Sequence, residues 1–214
     1  TFNGIINPID KILIYDENEM SGNILNERLR FDFTTLLPEL SCNNIRHSKD
    51  HCYVPYYYCK NIKNDTHAND YFLYRNQSDA MMHDQLNAYE MFDVSFRLPP
   101  VPPRVYEIRI AVNEMTVSQW WSPYKSVIQP YIDGKPYSVI DTRPYYDHPD
   151  IGWKEDASTF DNGLENDKHM RNIGWMKGPD SYNTWNFYFG GGYIPARENK
   201  STLRKIITRM YLSE

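Results

Sequence analysis

The chain has 214 residues and a net charge of −5, which suits one large domain and argues against a non-specific grip on nucleic acid. Aromatic residues make up 15% of the sequence, with 18 Tyr and 5 Trp, and Pro is frequent. No apolar run approaches the length that spans a membrane. Chains rich in Tyr and Pro, with frequent Asn and Asp, are typical of β-sandwiches joined by long ordered loops.

The opening stretch "TFNGIINPIDKIL" predicts an extended strand with a Pro bulge, because its apolar residues are dense and interrupted only by short polar pairs. We expect residues 1–14 to pack with their Ile side chains buried, since an exposed segment of this kind would form an apolar patch. The next apolar stretch, "RLRFDFTTLLPEL", alternates at first, with Leu29, Phe31 and Phe33 on one face. It then becomes a continuous apolar patch that ends at Pro38. Residues 41–90 predict mostly loop.

The clearest strand signal lies at residues 105–112, where Tyr and aliphatic side chains alternate with polar or small ones. Residues 127–140 predict further core strands joined by a tight turn at Asp133-Gly134. From 141 to 200 the sequence is typical of long loops. A short helix at "NDKHMRN" and a closing strand from Leu203 to Tyr211 complete the predicted elements.

The cysteines form a cluster with two histidines: Cys42, Cys52 and Cys59 lie near His47 and His51. There is no paired CxxC and the spacing matches no common zinc pattern, so we expect no metal and no cofactor. A Cys52–Cys59 disulfide across a loop is the favoured alternative for an exported protein. The odd number of cysteines leaves at least one thiol unpaired or buried.

Several motifs carry a resemblance to a known family. The stretch "NGIINPIDKIL" looks like the closing strand motif of a fasciclin domain, although Asn7 stands where that motif usually has His. The remainder resembles the domain that follows fasciclin repeats in Bacteroidota surface lipoproteins. The blocks that carry this likeness run in family order over about residues 24–182: "LNERLRFDFTTLLPELSCNNIR", "FRLPPVPPRVYEIRIAV", "YIDGKP", "HPDIGW" and "NDKHMRNIGWMKGPDSY".

The resemblance implies an organisation for the chain. Residues 1–15 would be a remnant closing strand or arm of the last fasciclin repeat. Residues 16–214 would form a mainly β domain, an antiparallel jelly-roll sandwich resembling galactose-binding-like domains, with long loops. Relatives continue into one more strand past Glu214, so we expect a fragment of a longer lipoprotein, the alternative being a natural short C-terminus. The residues alone do not distinguish a jelly roll from an immunoglobulin-like sandwich.

Catalysis finds little support in the sequence. HExxH, GxSxG and P-loop motifs are all missing. Glycan hydrolysis needs only two carboxylates, and these leave no motif. One loop region offers candidates, which we expect to be solvated: Asp147, Asp150, Glu155, Asp156 and Asp161. We therefore predict a protein that is not an enzyme, with a glycan-active hydrolase as the less favoured alternative.

Aromatic residues in predicted loops are the favoured binding candidates, since an indole or phenol ring can stack on the apolar face of a sugar. Adjacent Trp120 and Trp121 follow a strand and cannot both face one core, because successive side chains alternate. For Trp153 and Trp175 we favour a role as anchors of long loops. The predicted ligand- or partner-binding residues are Trp120, Trp121, Tyr124, Trp185 and Tyr188.

The resemblance implies a non-catalytic accessory lipoprotein of an outer-membrane glycan uptake system, exposed at the cell surface. Its expected partners are a TonB-dependent transporter and its lid lipoprotein, and polysaccharide, but not nucleic acid. A lipid anchor on the absent N-terminal part would be its only link to the membrane. The alternative is a purely structural or adhesive interaction subunit that has no ligand.

Overall fold

The structure is a computed structural model that describes residues 29–42, 51–55, 58–64, 71–78, 83–88, 91–112, 125–180, 183–185 and 192–213. All of the helices and strands below lie in one compact unit, Asp32–Glu214. The predicted arm at residues 1–14, and the domain boundary after residue 15, lie outside the described residues.

Two α-helices and several short 3-10 turns are present in the described residues. The helices are α1 (Pro38–Cys42) and α2 (Leu164–Asn172), and the turns are Phe33–Leu36, Asp156–Ser158, Ala196–Glu198 and Lys200–Thr202. The strands are β1 (His51–Pro55), β2 (Ile62–Asn64), β3 (Tyr71–Ser78), β4 (His83–Ala88), β5 (Phe92–Val94), β6 (Arg104–Ala111), β7 (Val127–Ile128), β8 (Tyr131–Ile132), β9 (Lys135–Pro136), β10 (Ile140–Asp141), β11 (Trp175–Met176), β12 (Asn183–Trp185), β13 (Tyr193–Pro195) and β14 (Arg204–Leu212). All described strand pairs are antiparallel, so the prediction of a mainly β, antiparallel fold is confirmed.

The central sheet has the order β11-β14-β6. Strand β6 falls where alternation predicted it, at 105–112, because one of its faces must be buried. The predicted closing strand at 203–211 is also present, as β14. The register runs from Arg104 opposite Leu212 to Ala111 opposite Arg204, with an irregularity between Ile206 and Thr208. The last strand of the described chain is thus the middle strand of the sheet.

One apolar core lies against this sheet. Ile108 and Ile110 of β6 pack onto it, as the alternation predicted. Helix α2 contributes Met170, which is fully buried. The buried members of the core are Val112, Ile140, Ile151, Trp153, Met170, Trp175, Leu203 and Ile207. Trp153 and Trp175 are both buried in this core, as expected of anchors, but Trp175 lies on strand β11 and not in a loop.

The segment 127–140 forms four very short strands around a tight turn. Strands β8 and β9 pair across Asp133 and Gly134, whose φ angles of 50° and 76° both lie in the left-handed region. A turn with two such residues matches strand twist, which explains the Asp-Gly signal. Strand β10 pairs with β7 and buries Ile140 completely. The hairpin is confirmed, and the core-strand prediction holds for Ile140 but not for exposed Val127.

A second, smaller apolar cluster is formed by residues of α1 and its preceding turn, residues 58–59, β4 and residues 92–96. Leu37, Leu40 and Cys59 are its buried members, and Phe33 stacks on Phe96 with ring centroids 4.6 Å apart. The prediction that the apolar patch ends at Pro38 needs correction, since Pro38 begins helix α1. Proline suits a first helical position, because its missing N–H would have no intrahelical partner there.

Residues 41–90 contain more strand than predicted. Strands β1, β3 and β4 form a three-stranded sheet in the order β1-β3-β4, and β2 pairs with the later strand β5. The prediction of a loop-heavy region is therefore wrong for the described part of this segment. These strands lack clear alternation, since β3 begins with an unbroken apolar run and β4 is mostly polar, so their pairing depends on partners rather than on local pattern.

Candidate functional site

Three guanidinium groups converge on one carboxylate at the face of the central sheet that points away from the core. Glu107 on β6 lies directly opposite Arg209 on β14, and Arg109 is its same-face neighbour on β6. Arg171 reaches the same carboxylate from the last turn of α2. We call these four residues, Glu107, Arg109, Arg171 and Arg209, the arginine face.

The contacts of the arginine face are short and charge-assisted. Arg209 donates from Nε to Glu107 Oε2 at 2.8 Å, and Arg109 donates from Nε to Oε1 at 2.6 Å. Arg171 Nη2 lies 3.1 Å from Oε2. Burial acts to raise the pKa of Glu107, but the hydrogen bonds from Arg209 and Arg109 outweigh it and hold that pKa below its usual value. The carboxylate is therefore ionised at neutral pH.

The arginine face has a buried floor, which is Glu107, and a more exposed rim, which is formed by the three arginines. The side chain of Glu107 is 12% exposed, whereas that of Arg209 is 67% exposed. Arg109 and Arg171 are intermediate between them. The carboxylate thus orients the guanidiniums from below, while much of their surface remains open to solvent.

An apolar edge adjoins the arginine face on the same two strands. Tyr211 lies opposite Val105, two residues along from the Arg209–Glu107 pair, and both side chains are exposed. Residues two apart on a strand share a face and lie about 7 Å from one another. An exposed ring and a set of guanidiniums therefore stand side by side.

A second group of charges, the Asp156 network, is largely buried, with two members in the interior and two half-buried. It consists of Asp156, Asp167, Lys177 and Arg197. Lys177 Nζ lies 2.5 Å from Asp156 Oδ1, and its side chain is only 2% exposed. Arg197 contacts both carboxylates, with Nη2 donating to Asp167 Oδ2 at 2.6 Å. The network pairs its two cations with two carboxylates.

The Asp156 network joins four separate segments of the chain. Asp156 lies in a 3-10 turn of the long loop, Asp167 on α2, Lys177 just after β11 and Arg197 in the turn after β13. The network is thus an internal brace between the four segments that carry its members. The prediction that Asp156 is a solvated loop residue is wrong, because the cations hold it in the interior.

Glu198 lies beside the Asp156 network and accepts the backbone N–H of Asp156 at 3.2 Å. Burial, and then the neighbouring Asp156 carboxyl, raise the pKa of Glu198. For Asp156 itself burial acts in the same direction, but hydrogen bonds from Arg197 and Lys177 prevail and lower its pKa. The two adjacent carboxyl groups therefore titrate in opposite directions from their usual values.

This divergence gives a testable pH dependence. A raised pKa in the folded state means that Glu198 favours folding while protonated, and that this stability is lost as pH rises from the usual value of 4.5 through the folded value. We expect Glu198→Gln to remove that loss. In urea denaturation from pH 4.5 to about pH 8, the variant should lose less free energy of unfolding than the wild-type chain. An equal loss in both proteins would contradict the raised pKa.

The structure does not describe the side chains of the sequence-predicted site residues, which therefore remain a prediction. Trp120, Trp121, Tyr124 and Tyr188 lie outside the described residues. Trp185 is the last residue of β12, which pairs with β13, but its side chain is likewise outside the description.

The cysteine prediction requires a correction. Cys59 carries a free thiol buried between α1 and the β5 region, so the predicted Cys52–Cys59 disulfide is wrong. Burial, and then the charge of Glu39, raise the pKa of this thiol to about 11. It is therefore protonated at neutral pH and behaves as a small apolar side chain.

In the described part of the chain, no three His, Cys, Asp or Glu side chains are grouped so that they would hold a metal ion. Among the same residues, no helix is long and apolar enough to span a bilayer.

Sequence reasoning missed the arginine face. The alternation that predicted β6 did place Glu107 and Arg109 on one face, and a Glu and an Arg two residues apart were a visible signal. Arg209 and Arg171 gave no such signal, because they join the carboxylate from 102 and 64 residues away in the chain.

Comparisons of the chain with family models, with curated proteins and with solved structures find no match. The two charge clusters are therefore interpreted from their own geometry. One is buried and balanced, which suits a brace, and the other is open and positively charged, which suits a ligand.

Proposed function

We propose that this protein is a non-catalytic, surface-exposed accessory module of an outer-membrane glycan uptake system. The observation that carries the proposal is the exposed face of the central sheet, where Tyr211 adjoins the guanidiniums of the arginine face. Aromatic rings beside polar donors are the usual means by which a protein holds a sugar. The resemblance of the sequence blocks to Bacteroidota fasciclin-type lipoproteins supports the same function.

The non-catalytic part of the proposal is supported by the ion pairs of the carboxylates in the two charge clusters. Asp156 and Asp167 are engaged by Lys177 and Arg197, and Glu107 is engaged by three arginines. Their pairing suits structural or positioning roles, because an acid or base in hydrolysis must be free to exchange a proton with its substrate.

The proposal extends to fold and partners. The antiparallel sheets would form a jelly roll resembling galactose-binding-like domains, preceded by the closing strand of a fasciclin repeat. In the intact lipoprotein an upstream lipid anchor would hold the module at the outer surface, beside a TonB-dependent transporter and its lid lipoprotein. There it would capture polysaccharide or dock on the transporter complex.

Affinity electrophoresis against a panel of polysaccharides tests the proposal. Retarded migration in at least one polysaccharide gel, relative to a gel without polysaccharide, is the expected result. Migration that no polysaccharide changes would remove glycan capture. Failure to co-purify with the transporter as well would then favour a structural subunit without a ligand.

The tryptophan pair provides a more local prediction within the proposed function. We expect Trp120→Ala and Trp121→Ala to leave the melting temperature nearly unchanged while abolishing one kind of binding, since indoles dominate many interfaces. Loss of polysaccharide retention would assign the pair to the glycan site, and loss of transporter co-purification would assign it to docking. A large fall in melting temperature with both kinds of binding intact would contradict the prediction.

A further inference from the structure

The arginine face has more positive charge than its own carboxylate can neutralise. Three guanidiniums share Glu107, so two positive charges remain uncompensated. In the described part of the chain, no second carboxylate contacts Arg109, Arg171 or Arg209. The Asp156 network, by contrast, pairs each of its cations with a carboxylate. The excess is notable because the chain as a whole carries a charge of −5.

The open guanidiniums also retain hydrogen-bonding capacity. A guanidinium has five N–H donors in a planar fork that matches the two oxygens of a carboxylate. Arg209 uses Nε and Nη2 on the single oxygen Glu107 Oε2, at 2.8 and 2.7 Å. Its remaining donors are directed away from Glu107 on a side chain that is 67% exposed. A second carboxylate can therefore bind at the rim without displacing the first.

The groups beside the rim select the kind of carboxylate. Tyr211 and Val105 give an exposed apolar surface about 7 Å along the strands from Arg209 and Glu107. A sugar ring that bears a carboxylate offers both an apolar C–H face for the tyrosine and an anion for the guanidiniums. A neutral sugar would leave the two charges without a partner, and an isolated small anion would make no use of the ring.

We propose that the arginine face, together with Tyr211, is a binding subsite for uronic acid residues of an acidic polysaccharide. This inference rests on the proposed function and adds the class of ligand. Glu107 is a positioning residue, which holds the three guanidiniums in place, while Arg209 and Arg171 contact the sugar carboxylate. Tyr211 stacks on the ring.

The test compares two forms of one polymer: polygalacturonate and its fully methyl-esterified form, which has the same backbone without the charge. We expect affinity electrophoresis and calorimetry with the whole chain to show binding to polygalacturonate and at least tenfold weaker binding to the ester. Arg209→Ala should weaken polygalacturonate binding about tenfold, and Arg209→Lys should restore it only in part, because an ammonium lacks the fork. Arg143→Ala, which removes an exposed arginine elsewhere, should leave binding unchanged.

Any of four outcomes would overturn the subsite. Equal binding of the ester and the acid, or binding of neutral polysaccharides alone, would exclude it and leave the proposed glycan capture standing. Equal weakening by Arg209→Ala and Arg143→Ala would show general attraction of polyanions, which dextran sulfate in place of polygalacturonate would reproduce. No binding to any polysaccharide would remove glycan capture as well. Melting curves of each variant would establish that it is folded. We expect both alanine variants to melt near the wild-type temperature, because Arg209 and Arg143 are exposed.

Discussion

Replacing Asp156 with Asn is expected to lower the free energy of unfolding by about 3–5 kcal/mol, the cost of breaking a buried ion pair by removing one partner. The asparagine amide is neutral, so it would leave Lys177 buried without the negative charge that now lies 2.5 Å from its Nζ. Asp167 is a poor substitute, since its Oδ1 lies 4.0 Å from the same nitrogen. Urea denaturation followed by tryptophan fluorescence measures the loss.

A matched control makes the same change, from a carboxylate to an amide, in an ion pair that is exposed rather than buried. Glu165→Gln on α2 also removes one carboxylate from an ion pair, the exposed pair with Lys168. We expect no measurable change in the urea midpoint from this variant, because exposed pairs contribute little. Lys177→Met should cost less than Asp156→Asn, since Asp156 keeps Arg197 as a partner. If Asp156→Asn matched Glu165→Gln, the network would not be the brace of the loop region.

The two charge clusters are linked by helix α2. Asp167 of that helix belongs to the Asp156 network, and Arg171, one turn later, belongs to the arginine face. Residues four apart lie on one side of a helix. The buried network thus helps to hold the helix from which a rim arginine reaches Glu107. A stability element and a candidate binding element share one short helix of nine residues.

The parts of the fold that could be predicted are those with a strong local signal. Residues 105–112 alternate because one face of β6 lies on the core, and Asp133-Gly134 supplies the two positive φ angles that a tight hairpin requires. The strands within residues 41–90 lacked such a signal. Strand β2 pairs with β5 about thirty residues later, and a pairing of that kind depends on the partner rather than on the sequence of either strand.

The candidate site was harder to predict for a related reason. A charge cluster is defined by which residues meet in space, and the register of β6 with β14 decides that Arg209 lies opposite Glu107. That register includes an irregularity between Ile206 and Thr208, which shifts the pairing and cannot be read from alternation. The acidic loop shows the converse, since Asp156 looks solvated in the sequence until Lys177 and Arg197 are brought beside it.

Gly163, immediately before α2, links backbone geometry to the Asp156 network. Its φ of 85° lies in the left-handed region, which costs other residues about 1–2 kcal/mol. A Cβ at this position would also collide with Asp156 Oδ1, and it would lie 2.7 Å from Asp156 Cγ and 3.1 Å from Arg197 Nη2. The Gly163 backbone is also held in place, because its N–H donates to Thr159 Oγ1 at 2.6 Å. Residue 163 therefore cannot easily shift to relieve the collision.

Gly163→Ala is therefore expected to lower the free energy of unfolding by about 3 kcal/mol or more, the sum of backbone strain and a displaced buried carboxylate. Gly134→Ala is the matched control. Its φ of 76° imposes similar strain, but a Cβ there meets nothing within 4 Å, so the expected cost is only about 1 kcal/mol. Urea denaturation of the two variants side by side separates the strain from the collision. Equal losses would mean that Asp156 can move aside without cost, and the tight packing of the network around Gly163 would then be wrong.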